Sequence, residues 1–363
     1  MMPPHQLLPT TVQLLINEFG HKIKRQQITD TTQLSIKTLE LIQHVIGKHK
    51  YTSITNLLAE LQLINRILLQ NNPMNLCISN TVRRVLSIIR TECNNQHTIE
   101  NISYKQWAAV KSEVLDELNI LSDEIKSSNE HISEQSIEHI HSRDVVLVYG
   151  YSITVLEFLV DAKKLRNFEV VVCETAPYCT GHLMCTKLCD YSIECTLITD
   201  SAIYALMSVI NKVIINACNV LANGSITCSS GGLNIATVAK QFNIPFIVLC
   251  GLHQLSPQYI FNKSTIQQYG ASNDLIPLNS VIYIDNTAEQ NKAPFNIINP
   301  LYDYVPPELI SLFITNVGGH HPSYLYRLMS EYYDTEDYNL DKSNNDSNDV
   351  DTSTSMYVSQ PVC

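Results

Sequence analysis

Positive charge is the first thing this sequence is short of. Its 363 residues hold 24 Lys and Arg against 35 Asp and Glu, a net charge of −11. The shortfall is uneven: residues 1–141 carry 13 basic against 14 acidic side chains, residues 142–330 carry 10 against 13, and residues 331–363 carry 1 against 8. A near-neutral body has none of the basic surplus of a dedicated nucleic-acid binder, so no nucleic-acid partner is expected. Long apolar runs are missing as well. The longest stretch without a charge, 213–239, contains Asn216, Asn219, Asn223, Ser229, Ser230 and Asn234, so it is uncharged without being apolar, and no membrane partner is expected. The opening MMPPHQLLPTTVQLL lacks the basic n-region and small-residue cleavage site of a secretory leader. Eleven cysteines, an odd count without such a leader, read as reduced thiols of a cytosolic chain rather than a disulfide framework. Carboxylates are absent between Asp200 and Asp274, where only Lys212, Lys240 and Lys263 are charged. The helices of an open sheet normally show more charge, so this stretch is expected to form a surface covered by other subunits.

What is present changes character near residue 141. Up to there the apolar positions recur with helical period: Leu34, Ile36, Leu39, Leu41, Ile42, Val45 and Ile46 after a Thr29-Asp30 cap, with Gly47 and Lys48, His49 and Lys50 as a stop. A second run spans Ile54 to Leu68, a third Ile78 to Ile89, and a fourth starts at Trp107 and continues to His141. Arg83 and Arg84 fall opposite the apolar stripe of the third helix, which predicts a solvated face rather than a partner contact. Beyond Arg143, short β-rich runs alternate with helical ones: 145–150, 168–174, 193–199, 212–217 and 245–250 as strands, 152–165, 180–189, 201–209 and 232–242 as helices, with a turn at Asn223-Gly224. Apolar strands separated by helices predict a parallel sheet covered on both faces. The segment from Leu340 is polar and acidic, and a disordered tail is expected.

Catalytic equipment is sparse. Neither GxxxxGK[ST] nor GxGxxG occurs. The turns at Tyr149-Gly150-Tyr151-Ser152 and Ser229-Ser230-Gly231-Gly232 each lead from a strand into a helix. Their amides suit an anion, or Ser152 or Thr154 (boxed with Glu157) is merely an N-cap. Cys179, His182, Cys185 and Cys189 have helical spacing, but a second ligand cluster is missing, so buried thiols are expected rather than a metal. Cysteine catalysis would find His182 and His253 as bases, but only Asp200 as an acid partner. No cofactor is expected.

Four segments carry a resemblance: VPPELISLFITNVGGHHPSYLYRLMSEYYD (305–334), CETAPYCTGHLM (173–184), ECTLITDSAIYALMSVINKVIINACNVLANG (194–224) and LSPQY (255–259). With them the chain resembles the alpha, beta and delta regulatory subunits of eukaryotic translation initiation factor 2B, and its 305–334 ending resembles the beta type. The resemblance implies a helical bundle over 1–141, a Rossmann-like α/β domain over 142–339 and a tail over 340–363. It also implies assembly with alpha and delta subunits into a regulatory core that carries gamma and epsilon. The complex exchanges GDP for GTP on initiation factor 2, with catalysis on epsilon and sensing of the phosphorylated alpha subunit of the substrate factor. Interface candidates on this reading are Pro306, Pro307, Glu308, Asn316, Gly318, Gly319, Tyr324, Tyr326 and Arg327, with His182 and Asn223 near the strand ends. For the first group the alternative is that Pro306-Pro307-Glu308 starts a helix and Tyr324 fills a core. The related isomerases of five-carbon sugar phosphates, such as methylthioribose-phosphate isomerase, supply the other reading. They place a cysteine at the end of the first core strand and an aspartate before the LANG-like turn. Gly150 and Cys218 stand there instead, and neither performs the proton transfer. Gly150, Tyr151, Ser152 and Cys218 thus mark a vestigial ligand pocket.

Overall fold

The computed structural model describes residues 10–25, 27–28, 30–48, 54–71, 75–95, 104–259, 268–276, 296–338 and 340. Thr29, His49, Lys50, Lys263 and the tail beyond Leu340 lie outside the described residues.

Helices α1 (Thr10–Lys24), α2 (Thr31–Lys48), α3 (Ile54–Asn71), α4 (Leu76–Asn95) and α5 (Tyr104–Glu134) build the N-terminal part. Asp30 caps α2 by accepting the Gln33 amide at 3.1 Å. Helix α2 ends at Lys48, within the expected stop, with Gly47 in its last turn and the Gly47 carbonyl accepting from Lys111. The expected stripe is what packs: Leu34, Leu39, Ile42, Val45 and Ile46 join Leu61, Ile64, Val82, Val85, Leu86, Val114 and Leu118 in one core. Helix α5 outruns this core. Its C-terminal half lies on the α/β part, where Asn129 and Ser133 bond to Thr154 and Asp161.

The short α6 (Ser136–His139) leads into β1 (Val145–Tyr149), α7 (Ile153–Lys163), β2 (Glu169–Cys173), α8 (Thr180–Asp190), β3 (Glu194–Ile198), the one-turn α9 (Ile203–Leu206) and β4 (Lys212–Asn216). A hairpin of β5 (Asn219–Leu221) and β6 (Ile226–Ser229) follows, then α10 (Gly232–Gln241), β7 (Phe246–Leu249), the two-residue β8 (Leu255–Ser256), β9 (Tyr302–Val305), β10 (Leu312–Thr315), β11 (Gly318–His320) and α11 (Leu325–Tyr332). The main sheet has the order β11-β10-β7-β4-β1-β2-β3, parallel throughout except for the β10–β11 edge pair. The six parallel strands therefore run third, second, first, fourth, fifth, sixth, a doubly wound arrangement whose order reverses between β1 and β4. A second sheet, β8-β5-β6-β9, packs beside it.

Strand alternation explains the layering. Leu147, Val171, Val213, Ile215, Val248 and Phe313 point to one face, covered by α10 and α11. Val146, Val148, Val170, Val172, Ile214, Ile247 and Ile314 point to the other, under α7 and α8. The carboxylate-free stretch corrects an expectation here. Most of 213–257 is interior to this chain, in β4 to β8 and the inner face of α10, so burial within the chain itself accounts for most of the missing charge.

The second correction concerns the arginines of α4. Arg83 is fully buried; its Nε donates to the Asp337 carbonyl (3.1 Å) and its Nη1 to Asn80 (3.1 Å). Arg84 donates to the Tyr332 carbonyl (3.0 Å) and lies 4.5 Å above that ring. Arg90, nearly two turns further along, grips the Asp337 carboxylate with both terminal nitrogens. The polar face of α4 holds the segment that follows α11, a contact between positions some 250 residues apart that periodicity cannot reveal.

Candidate functional site

The parallel strands β1, β2 and β4 end at one edge of the sheet, beside the switch in strand order where doubly wound folds form crevices. A cleft of about 690 Å³ opens there. Its floor is the β1–α7 turn, where Gly150 has φ +69° and Ser152 caps α7 by accepting the Val155 amide at 3.4 Å. Thr154 is not a cap; it is buried in the helix and bonded to Asn129. Thr175 to Thr180 form one wall and Cys218, after β4, another. The helical part closes the opposite side with Asp30, Thr31, Asn75 and Cys77. All four pocket candidates, Gly150, Tyr151, Ser152 and Cys218, line this cleft.

Its chemistry is that of hydroxyls, amides and thiols, with the carboxylate of Asp30 on the helical side. Among the described residues, none that lines the cleft is Lys, Arg or His. The anion-binding backbone around it is already engaged by this chain's own carboxylates. Asp200 accepts the amides of Thr175 (3.0 Å) and Ala176 (2.8 Å). Asp303 accepts those of Gly231 (2.8 Å) and Leu233 (3.2 Å), filling the N-terminus of α10 that the Ser229–Gly232 turn seemed to offer to a ligand. Gly231 is required there: at φ +104° any Cβ would stand 2.0 Å from the Tyr149 hydroxyl, which donates to the Ser230 carbonyl. Burial pushes the Cys218 thiol up to about 11 and the Cys77 thiol higher still. Cys77 Sγ lies 3.6 Å from Asn219 Oδ1, and no described carboxylate or imidazole hydrogen-bonds to Cys218. Asp200, the acid partner available to a cysteine nucleophile, holds the 175–176 turn, while His182 is exposed on α8. His253 is buried away from solvent, and burial lowers its pKa to about 4. These groups form no proton-transfer pair.

The thiols of the cysteine-rich helix are not buried as expected: Cys179 and Cys185 are half-buried and Cys189 is exposed, because they lie on the outer side and at the ends of α8. Cys179 begins α8 with its thiol toward the Pro177 carbonyl, Cys185 and Cys189 face β3, and His182 points elsewhere, to solvent. No group of three or more His, Cys, Asp or Glu side chains suited to a metal occurs among the described residues.

The surface candidates separate into three places. Pro306-Pro307-Glu308 does not start an α-helix; it is a single 3-10 turn after β9, with Glu308 exposed. Asn316 accepts the Leu252 amide at 3.0 Å and so holds a loop, while Gly318 and Gly319 form the edge strand β11. Tyr324, Tyr326 and Arg327 lie together at the start of α11, with Tyr326 53% and Tyr324 39% exposed. Tyr324 stacks on His320 at 5.1 Å, and Arg327 lies 5.7 Å from its ring while bonding Glu331 at 3.0 Å. It therefore does not fill a core. Asn223 belongs beside this patch, because the tip of the β5–β6 hairpin touches Pro322 so closely that a Cβ on Gly224 would lie 2.8 Å from its carbonyl oxygen. Asn223 itself bonds the Tyr304 hydroxyl at 3.0 Å.

Asp30, Asp200, Asp303 and Thr175 all shape the cleft, and sequence reasoning gave none of them that role, although it named Asp200 as the acid available to a cysteine. Their contacts run between distant segments, and only the strand ends near Asp200 offered a signal.

Fold and cleft together define a Rossmann-like α/β protein with a helical N-terminal region and a strand-end crevice in which, among the described residues, Cys218 has no hydrogen-bonded carboxylate or imidazole. The initiation factor 2 subunit family matches residues 27–322, and the chain belongs to that family. It is 33% identical to the translation initiation factor eIF2B subunit beta of Dictyostelium discoideum over 372 residues, covering 87% of this chain and 94% of that protein. The crystal structure of the tetrameric eIF2B-beta2-delta2 complex from C. thermophilum contains a chain with TM-score 0.72 and 26% identity, covering 89% of this chain and 95% of that one. The ribose 1,5-bisphosphate isomerase of Pyrococcus furiosus is 23% identical over 319 residues, covering 85% of this chain and 93% of that enzyme. Among the described residues no helix is long and apolar enough to cross a membrane.

Proposed function

We propose that this chain is a non-catalytic regulatory subunit, of the beta type, in the complex that exchanges guanine nucleotide on initiation factor 2. It assembles with delta and alpha subunits in the cytosol, supports gamma and epsilon, and contributes to sensing the phosphorylated alpha subunit of the substrate factor. The observation that carries this reading is the cleft: the backbone amides around it are engaged by Asp200 and Asp303, and among the described residues no carboxylate or imidazole hydrogen-bonds to Cys218. Function then rests on surfaces, and the exposed Tyr324–Tyr326–Arg327 patch has the residue types that anchor interfaces. Similarity to a beta subunit over 87% of the chain supports the same assignment.

Affinity purification of the tagged full chain from its own cells tests this. Stoichiometric recovery of alpha, gamma, delta and epsilon partners is the expected result. A homo-oligomer free of those partners that isomerises a pentose phosphate would overturn it.

A further inference from the structure

Helix α8 and the edge strand β3 are joined by a tight turn, and two thiols meet across it. Cys189 lies in the last turn of α8 and is exposed; Cys195 lies on β3 and is half-buried. Their sulfurs are 3.6 Å apart, which is van der Waals contact. A disulfide of about 2.05 Å requires them to close by only about 1.5 Å. The turn that presents them is fixed: the Ile193 amide bonds the Leu188 carbonyl at 3.0 Å, the Ser192 amide bonds Cys189 at 2.9 Å, and Leu188 and Ile193 are buried beneath. The third thiol nearby, Cys185, is half-buried, and its carbonyl lies 3.8 Å from Cys195 Sγ.

We propose that Cys189 and Cys195 form a reversible dithiol–disulfide pair addressed by low-molecular-weight disulfides such as glutathione disulfide. The exposed Cys189 reacts first. Its thiolate attacks one sulfur of glutathione disulfide, the S–S bond breaks, and one glutathione leaves, taking up the proton that Cys189 released. Burial, with Cys189 adding to it, pushes the Cys195 thiol up to about 12, so Cys195 is the slower group and acts second. Capping Cys189 removes that neighbour's part of the rise. Cys195 then loses its proton to solvent and attacks Cys189 Sγ, and the second glutathione departs and is protonated. Two protein thiols are oxidised and one glutathione disulfide is reduced to two glutathiones. The bond would staple the outermost strand of the sheet to the helix whose first turn, at Thr180, lines the cleft.

The test uses the full chain, native, in graded glutathione redox buffers, followed by acid quench, alkylation and tryptic mass spectrometry. Cleavage after Lys187 and Lys212 places Cys189 and Cys195 in one peptide and Cys185 in another, so the two pairings are distinguishable. The expected product is peptide 188–212 lighter by two hydrogens and unlabelled, restored by dithiothreitol. Half-oxidation should fall at a buffer at least about tenfold more reducing than for the urea-unfolded chain, since the fold holds the sulfurs in contact. Cys195→Ser should stop at a single glutathione on Cys189. A wild-type peptide that stops at the mixed disulfide, a cross-link to the Cys185 peptide instead, or no difference from the unfolded chain would each overturn the proposal.

Discussion

Replacing Arg90 by alanine puts the strongest demand on the reading of α4 as a clamp. The Asp337 side chain is fully buried and that of Arg90 is 19% exposed, and the two form a bidentate pair. Removing one partner of a buried pair typically costs about 3–5 kcal/mol, because the other charge stays behind without its counterion. Solvent reaching the rim at Arg90, and the Arg83 guanidinium nearby, bring the expected cost down to about 2–4 kcal/mol. At about 2–4 °C per kcal/mol, the figure for larger domains, the melting temperature of Arg90→Ala should fall by roughly 4–16 °C. The pH dependence has a defined sign. Burial already pushes the Asp337 carboxyl above its ordinary value while Arg90 pulls it down, so losing Arg90 raises it further. A carboxyl whose folded pKa exceeds its unfolded value favours the fold at low pH and loses that contribution as pH rises through the folded pKa. The deficit of Arg90→Ala should therefore be smaller at pH 5 than at pH 7.5, when each is compared with wild type. Thermal melts of the full chain at both pH values, with Asp337→Asn and the double variant, complete the cycle. A coupling energy of at least about 1 kcal/mol is expected. Strict additivity, or an Arg90→Ala melting point within about 2 °C of wild type, would refute the clamp.

Three further outcomes follow from particular contacts. His253 titrates at about 4 when folded against about 6.5 when unfolded, so the unfolded chain binds the extra proton and stability is lost as pH falls through that window. The loss at pH 5 is about 2 kcal/mol, and His253→Gln should flatten that part of the stability–pH curve in denaturant titrations. Gly231→Ala drives a methyl into the Tyr149 hydroxyl at a backbone angle that alanine resists, and should cost about 2–4 kcal/mol in the same assay. Tyr324→Ala with Arg327→Ala should leave the melting point within about 2 °C, as expected of surface changes. The same pair should reduce recovery of partner subunits at least about tenfold, as loss of an interface anchor would; unchanged recovery would remove this patch from the interface.

The period of the apolar residues made the layers legible. A seam every three to four positions gave α2 to α5, and unbroken runs such as 145–150 and 245–250 gave the parallel strands, because each pattern has to bury itself on a defined face. The second sheet was not legible. Strands β5, β6, β8 and β9 are two to four residues long, too short to establish a period. Arg83 and Arg84 were misread for a related reason. A polar stripe on a helix predicts water only if no other backbone reaches it, and here the carbonyls of Tyr332 and Asp337 do. The pocket candidates Gly150, Tyr151 and Ser152 were legible because they form a strand-to-helix turn, and Cys218 through the resemblance to the isomerases, whereas Asp303, which answers the Ser229–Gly232 turn, comes from a strand 70 residues on.

The carboxylates around the cleft suggest why such a site persists without chemistry. A turn that presents several amides, like that at 175–176 or the start of α10, has donors that must be satisfied, and an anionic ligand is one way to do so. Asp200 and Asp303 satisfy them from within, so the turns stay ordered with no ligand present. The two arrangements differ in a measurable way. If Asp303 does the work of a bound anion, Asp303→Ala should destabilise the chain by about 1–2 kcal/mol, the ordinary cost of losing a helix cap. Inorganic phosphate or sulfate should then restore part of that loss in the variant while leaving wild type unchanged. An equal response of both proteins would mean that the amides were never the anion's counterpart, and the cleft's order would have to come from packing alone.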